Sequence, residues 1–351
     1  MPVFNGDAHL TEAIESVLTQ TMGDLEIVVV DDGSSDNSRA IVERFAHADP
    51  RVRLVVNERN LGISAALNRG WQTARGALIA RLDADDLALP GRLERQVAFL
   101  DAHPSVAVVG GAAHVIDSSG ERLSTMRFPT ESRVIRSTLR RHNCFAHPSV
   151  IVRRAALQDV GGYRFDQSED YDLWLRLSEH FDLANLAEPL ILYRVHGSQL
   201  SLFDLEDRVK GALAVRAAAR IRRAGGTDPL AGAAGLTPEL FDQLGIEREE
   251  LDRALEHELL SWANVLVRIG RQDDAHELVE QAAQRLGPRA RRAYAAAGEL
   301  QAAEELLGSG RPLAGSARVV RAFRQEPRYT STRLGAWFAD RLDGRSFLPG
   351  R

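Results

Sequence analysis

The sequence predicts an α/β protein: a mostly parallel β-sheet with helices on both faces over residues 1–204, followed by an all-α region over residues 205–351. Three observations predict it. Short apolar runs alternate with amphipathic helical stretches from Leu25 to Val109, the rhythm of βα units. Two of those runs end in clustered aspartates, at the strand ends where an open sheet binds its ligands. Beyond Asp204 the strand pattern stops, and segments rich in Ala, Arg, Glu and Leu take over.

The elements follow in order. Leu10, Ile14, Val17 and Leu18 share one face of a helix expected over Ala8 to Gln20. Leu25 to Val30 is a buried strand running into Asp31-Asp32-Gly33, where the glycine lets the backbone bend toward a helix bearing Ile41, Val42 and Phe45. Val52 to Val56 is the next strand and Asn60-Leu61-Gly62 a turn. Ser64 to Ala74 is a helix that stops before Gly76. Ala77 to Ala80 is a strand that delivers Asp83, Asp85 and Asp86 at its carboxyl end. Pro90 opens a helix with Leu93, Val97 and Leu100 inward, and Val106 to Val109 is a further strand. Past Ala112 the pattern loosens, as binding loops do. His147 to Val152 and Leu190 to Val195 read as strands, and Gly161-Gly162-Tyr163 reads as a turn. A helix starts at Ser168 with Leu173, Trp174 and Leu177 as its core face. Helices are then expected over Val209 to Arg223, Pro238 to Leu244, Arg248 to Ile269 and Asp273 to Leu286, paired about Gly270 and Gly287 like stacked hairpins.

At 351 residues, 44% hydrophobic and 26% charged, the chain can bury a core in each of two domains. Its net charge of −5 argues against a dedicated nucleic-acid binder. Cys144 stands alone, so no intramolecular disulfide forms, which fits a reducing compartment. No apolar run reaches the ~18 residues of a membrane span. A cytoplasmic protein is expected. The end from Trp337-Phe338 to Phe347-Leu348 suits either peripheral contact with the inner face of a membrane or simple packing.

Asp83, Asp85 and Asp86 repel one another, and folding gains nothing from their arrangement unless a cation joins them. Oxygen-only ligands suit Mg²⁺ or Mn²⁺, which keep waters and accept phosphate oxygens. Taken alone the triplet reads equally as a solvated loop, with Asp86 capping the next helix. A dinucleotide-dependent oxidoreductase fails early. The turn after Val30 is acidic and lacks G-x-G-x-x-G, so it repels a bare pyrophosphate.

In order along the chain stand P-V-F-N-G at Pro2, V-V-V-D-D-G-S-S-D at Val28, N-L-G at Asn60, L-N-R-G at Leu67 and L-D-A-D-D at Leu82. H-P-S-V at His147, G-G-Y at Gly161, E-D-Y-D-L-W-L-R at Glu169 and Y-R-V-H at Tyr193 follow. This ordered set resembles the family 2 glycosyltransferases, which have the Rossmann-like GT-A fold; the helical region lies outside the resemblance. The resemblance implies an inverting enzyme of polysaccharide or cell-envelope assembly. It would move a sugar from a nucleotide-sugar donor, UDP-linked for preference, to a glycan or lipid-linked acceptor. It implies Asp32 on the base edge beside the backbone of Pro2, Val3 and Phe4, with Asp31 structural or facing the ribose. Gly62, Asn68 and Ala84 fall in matching segments and join the donor-binding set. Asp83 would meet the ribose or a metal-bound water, Asp85 would ligate Mg²⁺ or Mn²⁺, and His196 would join them as a ligand. Asp170 would be the general base, with Glu169 orienting it or binding acceptor. Arg194 would reach the pyrophosphate, His147 fits either an acceptor pocket or a structural role, and Trp174 belongs to the core.

The family carries a strand before P-V-F-N, and Met1 stands in its place. The expectation is a translation start upstream and a sheet lacking a central strand. Without membrane helices or a Q-x-x-R-W segment, addition of a single sugar is expected. The competing class is a non-catalytic nucleotide-sugar-binding scaffold, with residues 205–351 mediating oligomer or partner binding.

Overall fold

A computed structural model of the chain describes residues 1–195, 205–233, 235–268, 272–288, 291–292, 294–296, 298–300, 312–326 and 330. Met1–His196 with Lys210–Ile246 form one compact unit, and Gly197–Val209 with Glu247–Arg351 form a second.

The first unit opens with β1 (Pro2–Val3), α1 (Asp7–Leu18), β2 (Ile27–Asp31), α2 (Ser38–Ala48), β3 (Val52–Val56), α3 (Ile63–Thr73) and β4 (Leu78–Ala80). The βα rhythm predicted from the apolar runs is present, with each expected element within a few residues of its place. β1, β2 and β3 pair in parallel in that order. β2 is buried along its whole length, consistent with its unbroken run of valines.

β5 (Leu87–Ala88), α4 (Arg92–Ala102), β6 (Val106–Ile116), β7 (Arg122–Met126) and α5 (Ser132–Leu139) follow. Then come a single 3₁₀ turn at His147–Ser149, β8 (Ile151–Arg153), α6 (Arg154–Val160), α7 (Glu169–His180) and β9 (Asp182–Arg194). They build a six-stranded sheet in the order β4-β8-β6-β9-β5, with β7 alongside β6. β6 and β9 run parallel, and the other pairs are antiparallel.

β1 accompanies β2 only at Val30 and Asp31. Between the two sheets lies a cavity of about 630 Å³ lined by Val28 and Ile79 from the strands, Gly70 and Trp71 from α3, and Leu93 from α4. The Met1 amine donates to Val28 O at 3.0 Å there, and burial pushes its pKa down to about 5.

α8 (Leu205–Arg223) and α9 (Pro238–Gln243) come next. Ala214, Val215 and Ala218 of α8, with Leu230 and Leu244, share a core with Leu173, Trp174 and Leu177 of α7. Trp174 is fully buried, as its helical spacing predicts. In the second unit, α10 (Arg248–Arg268) packs on α11 (Gln272–Leu286) through Ala263, Leu266, Ala275 and Val279; α12 spans Pro312–Gln325. Among the described residues no helix is long and apolar enough to cross a membrane. His196, Gly270 and the segment from Trp337 to Leu348 lie outside the described residues.

Candidate active site

β4 ends at Ala80, and the chain then runs through Arg81-Leu82-Asp83-Ala84-Asp85-Asp86 into β5. Leu82 anchors this loop in the core while Asp83, Ala84 and Asp85 stay half-buried. One carboxylate oxygen from each of Asp83, Asp85 and Asp86 lies within 4.8 Å of the others. Asp86 is buried: its Oδ1 accepts the Arg194 N–H at 2.7 Å, and its Oδ2 has no hydrogen-bond partner. Burial and the charges of Asp83 and Asp85 push the Asp86 carboxyl well above the usual range. A hard divalent cation fits this all-oxygen set, because it relieves the repulsion and gives the orphaned oxygen a partner. Read from sequence alone, Asp86 was equally a helix cap; its partner Arg194 is distant along the chain and leaves no local signal.

Arg81 is buried and ion-paired with Asp83. Arg194 clamps the loop from β9, donating to Asp85 O at 3.0 Å, to Ser118 O at 3.1 Å and to Glu12 at 2.9 Å.

At the end of β2, Asp31 Oδ1 accepts the Ser34 N–H at 3.0 Å. Asp32 is buried and accepts from Asn57 Nδ2 at 2.6 Å, from Leu61 N–H at 3.0 Å and from Gly62 N–H at 3.0 Å. Val3 O receives the Asp32 N–H at 2.9 Å, which sets Pro2 to Phe4 beside that carboxylate. Phe4 and Leu61, 49% and 47% exposed, are among the few large apolar side chains open to solvent in the described residues; the Leu61 N–H binds Asp32 and Phe4 follows Val3. Gly62 has φ +91° and abuts the Asp166 carboxylate, which caps α3 by accepting the Ser64 N–H at 2.8 Å. Asn68 stitches α3 to the Gly161-Gly162-Tyr163 turn: Nδ2 donates to Tyr163 O at 2.8 Å, while Oδ1 accepts from Tyr163 N–H and the Trp71 indole, each at 2.9 Å.

The first turn of α7 brings Glu169 and Asp170 toward the 3₁₀ turn that holds His147. His147 Nε2 and the Tyr163 hydroxyl are 3.0 Å apart, and His147 Nδ1 lies 3.6 Å from Glu169. Burial lowers the His147 pKa to about 3 and raises that of Glu169 to about 7, so near neutral pH this contact is not an ion pair. Burial and the neighbouring Glu169 also raise the Asp170 carboxyl, against donation from Asn143 Nδ2 at 2.7 Å. The charges of Asp83 and Asp170 both act on the buried His147 and Tyr163. Asn143, Arg81 and Asp166 escaped the sequence reading. Asn143 and Asp166 act through partners brought near only by folding, whereas Arg81 pairs with Asp83 two residues on.

A parallel βα half-sheet and a mixed second sheet, with acidic strand ends, build an α/β fold of the GT-A type. The sequence profile of Glycosyl transferase family 2 matches residues 1–161. Over 190 residues the chain is 37% identical to the amylovoran biosynthesis glycosyltransferase AmsE of Erwinia amylovora, covering 53% of this chain and 70% of that one. The chain belongs to glycosyltransferase family 2. Its fold is similar to that of S. aureus TarS 1–349 in complex with UDP-GlcNAc (TM-score 0.52, 19% identity, 93% of this chain and 90% of that one). It is also similar to the mannosyltransferase PcManGT from Pyrobaculum calidifontis in complex with GDP-Man and Mn²⁺ (TM-score 0.50, 19% identity, 93% and 86%).

Proposed function

We propose that the protein transfers one sugar, with inversion, from a nucleotide-sugar donor, UDP-linked for preference, to a glycan or lipid-linked acceptor. The observation that carries this is the clustering of Asp83, Asp85 and Asp86, one carboxylate oxygen of each within 4.8 Å of the others, with the buried Asp86 Oδ2 lacking a hydrogen-bond partner. Asp32 and the backbone of Pro2, Val3 and Phe4 hold the base, with Phe4 and Leu61 as apolar surface beside it. Asp31 and Asp83 serve the ribose, while Gly62 and Asn68 fix the loop and turn around the donor, and Ala84 sits between the ligands. Asp85 and Asp83, joined by Asp86 and by His196, hold Mg²⁺ or Mn²⁺, which when bound neutralises the leaving diphosphate.

Asp170 takes the proton of the acceptor hydroxyl as that oxygen bonds to the anomeric carbon. The bond from that carbon to the diphosphate breaks on the opposite face. Glu169, protonated below about pH 7, orients Asp170 or donates to the acceptor. The relative AmsE, named for amylovoran biosynthesis, supports a role in polysaccharide synthesis, and the proposed place of action is the cytoplasm or the inner face of the membrane.

The test measures diphosphate release from a panel of UDP-, GDP- and dTDP-sugars with Mn²⁺ or EDTA, on the wild type and on Asp85→Ala. One donor is expected to turn over with Mn²⁺, to stop with EDTA, and to fall about 100-fold or more in Asp85→Ala. Turnover that ignores both EDTA and the substitution would refute the site. Absence of any turnover, with no metal-dependent donor binding by calorimetry, would favour the scaffold reading.

A further inference from the structure

Asn143 lies between α5 and the 3₁₀ turn, where no sequence motif drew attention to it. Its Nδ2 donates to Asp170 Oδ2 at 2.7 Å, and its Oδ1 accepts the Phe145 N–H at 3.2 Å. The second bond decides which end of the amide faces Asp170: Phe145 holds the carbonyl oxygen, so the NH₂ end meets the carboxylate. From the other side the Tyr171 N–H donates to Asp170 Oδ1 at 2.6 Å, and Tyr171 is itself anchored by its hydroxyl to Leu139 O at 2.6 Å. Each oxygen of Asp170 therefore meets a donor, and the two donors come from different elements.

We propose that Asn143 is a positioning residue for the base, its amide holding the Asp170 carboxylate in one orientation and in its proton-accepting form. This rests on the reading of Asp170 as the base. An amide N–H stabilises a carboxylate and gains nothing comparable from a carboxylic acid. The surroundings make that donor necessary. Asp170 is buried beside Glu169, and both effects favour the protonated acid. His147, facing it from the 3₁₀ turn, would oppose them if charged, but burial holds the imidazole neutral above about pH 3. The phenols of Tyr163 and Tyr171 also feel the Asp170 charge, and each hydroxyl is held elsewhere, against His147 and on Leu139 O. Among these groups the Asn143 amide and the Tyr171 N–H are the donors to the ionised form.

The experiment follows the ¹³C carboxyl resonance of Asp170, assigned by its loss in Asp170→Asn, through a pH titration of the whole chain labelled at aspartate. Wild type, Asn143→Ala and Asn143→Asp are compared. Asn143→Asp keeps an oxygen for the Phe145 N–H but sets a second carboxylate where the donor was. The Asp170 midpoint is expected to rise by about one pH unit in Asn143→Ala and by more in Asn143→Asp. A merely structural Asn143 predicts that Asn143→Ala loses stability with the Asp170 midpoint unmoved. An unmoved midpoint in Asn143→Asp overturns the proposal, and that variant decides the matter if Asn143→Ala does not fold. The base reading fails on a different result, namely undiminished Mn²⁺-dependent donor turnover in Asp170→Asn.

Discussion

Glu169 shows how this site trades stability for chemistry. Its folded pKa, raised to about 7 by burial, exceeds the 4.5 of an unhindered glutamate. Between those two values the folded chain binds a proton that the unfolded chain has lost, so stability falls as pH rises, by about 1.4 kcal/mol per unit. The loss levels off above pH 7, where both states are ionised. Glu169→Gln removes this term. In urea unfolding without donor, the variant is expected to show a flatter stability profile from pH 5 to 7. It should also be about 2–3 kcal/mol more stable than wild type at pH 7.5. Equal slopes in the two proteins would mean that Glu169 is not desolvated. Asp170 and Asp86 are shifted in the same direction, so wild type retains part of the slope whatever Glu169 does.

At the scale of elements, α7 is the part that must not move, because its first turn carries Glu169 and Asp170. In the same turn, Asp172 is fully buried between Arg164, whose Nε donates at 2.7 Å, and Arg176, whose Nε donates at 2.8 Å. Arg176 also donates to Val160 O at 2.6 Å and Gly162 O at 2.7 Å, and Arg164 continues to Asp228 at 2.7 Å. Asp172→Asn would leave the buried Arg176 guanidinium without its anion and Arg164 with Asp228 alone, at a cost of about 3–5 kcal/mol. A thermal melt lowered by only a degree or two would show that the network is solvated. Arg176 stands in E-D-Y-D-L-W-L-R four residues after Asp172, so that pair is legible at helical spacing, whereas Arg164 and Asp228 lie outside the motif and leave no local signal. Strand boundaries were legible only where side chains alternate or run apolar. β6 extends well past Val109, but Gly110-Gly111 reads as a break. In the fold the two glycines are where Asn185, Phe145 and Leu190 come too close for a side chain. The segment at His147 reads as a strand because it is apolar, yet Pro148 has no N–H to give to a ladder and the chain makes a 3₁₀ turn first.

For the whole molecule, the change of composition near Asp204 marks where strands end, and the packing marks a further division. Lys210–Ile246 belong to the same compact unit as the sheets. The reason lies in α7: Leu173, Trp174 and Leu177 are buried, and Ala214, Val215, Ala218, Leu230 and Leu244 help to cover that core. Gly211 approaches the backbone of Gln167, just ahead of the first turn of α7, so closely that no side chain fits there. Arg222 adds ion pairs to Glu179 at 2.8 Å and to Asp228 at 3.2 Å. Composition could not announce this, because alanines at helical spacing look the same whether they cover a neighbouring core or their own. A chain ending after Ile246 is therefore expected to melt cooperatively and to bind the donor with Mn²⁺ within a few-fold of the full-length affinity. A chain ending after Asp204 would expose the Trp174 core and should lose both properties, with near-ultraviolet circular dichroism collapsing first. If the shorter chain kept a cooperative melt and donor binding, α8 and α9 would be an appendage, and the catalytic unit would end with its last strand.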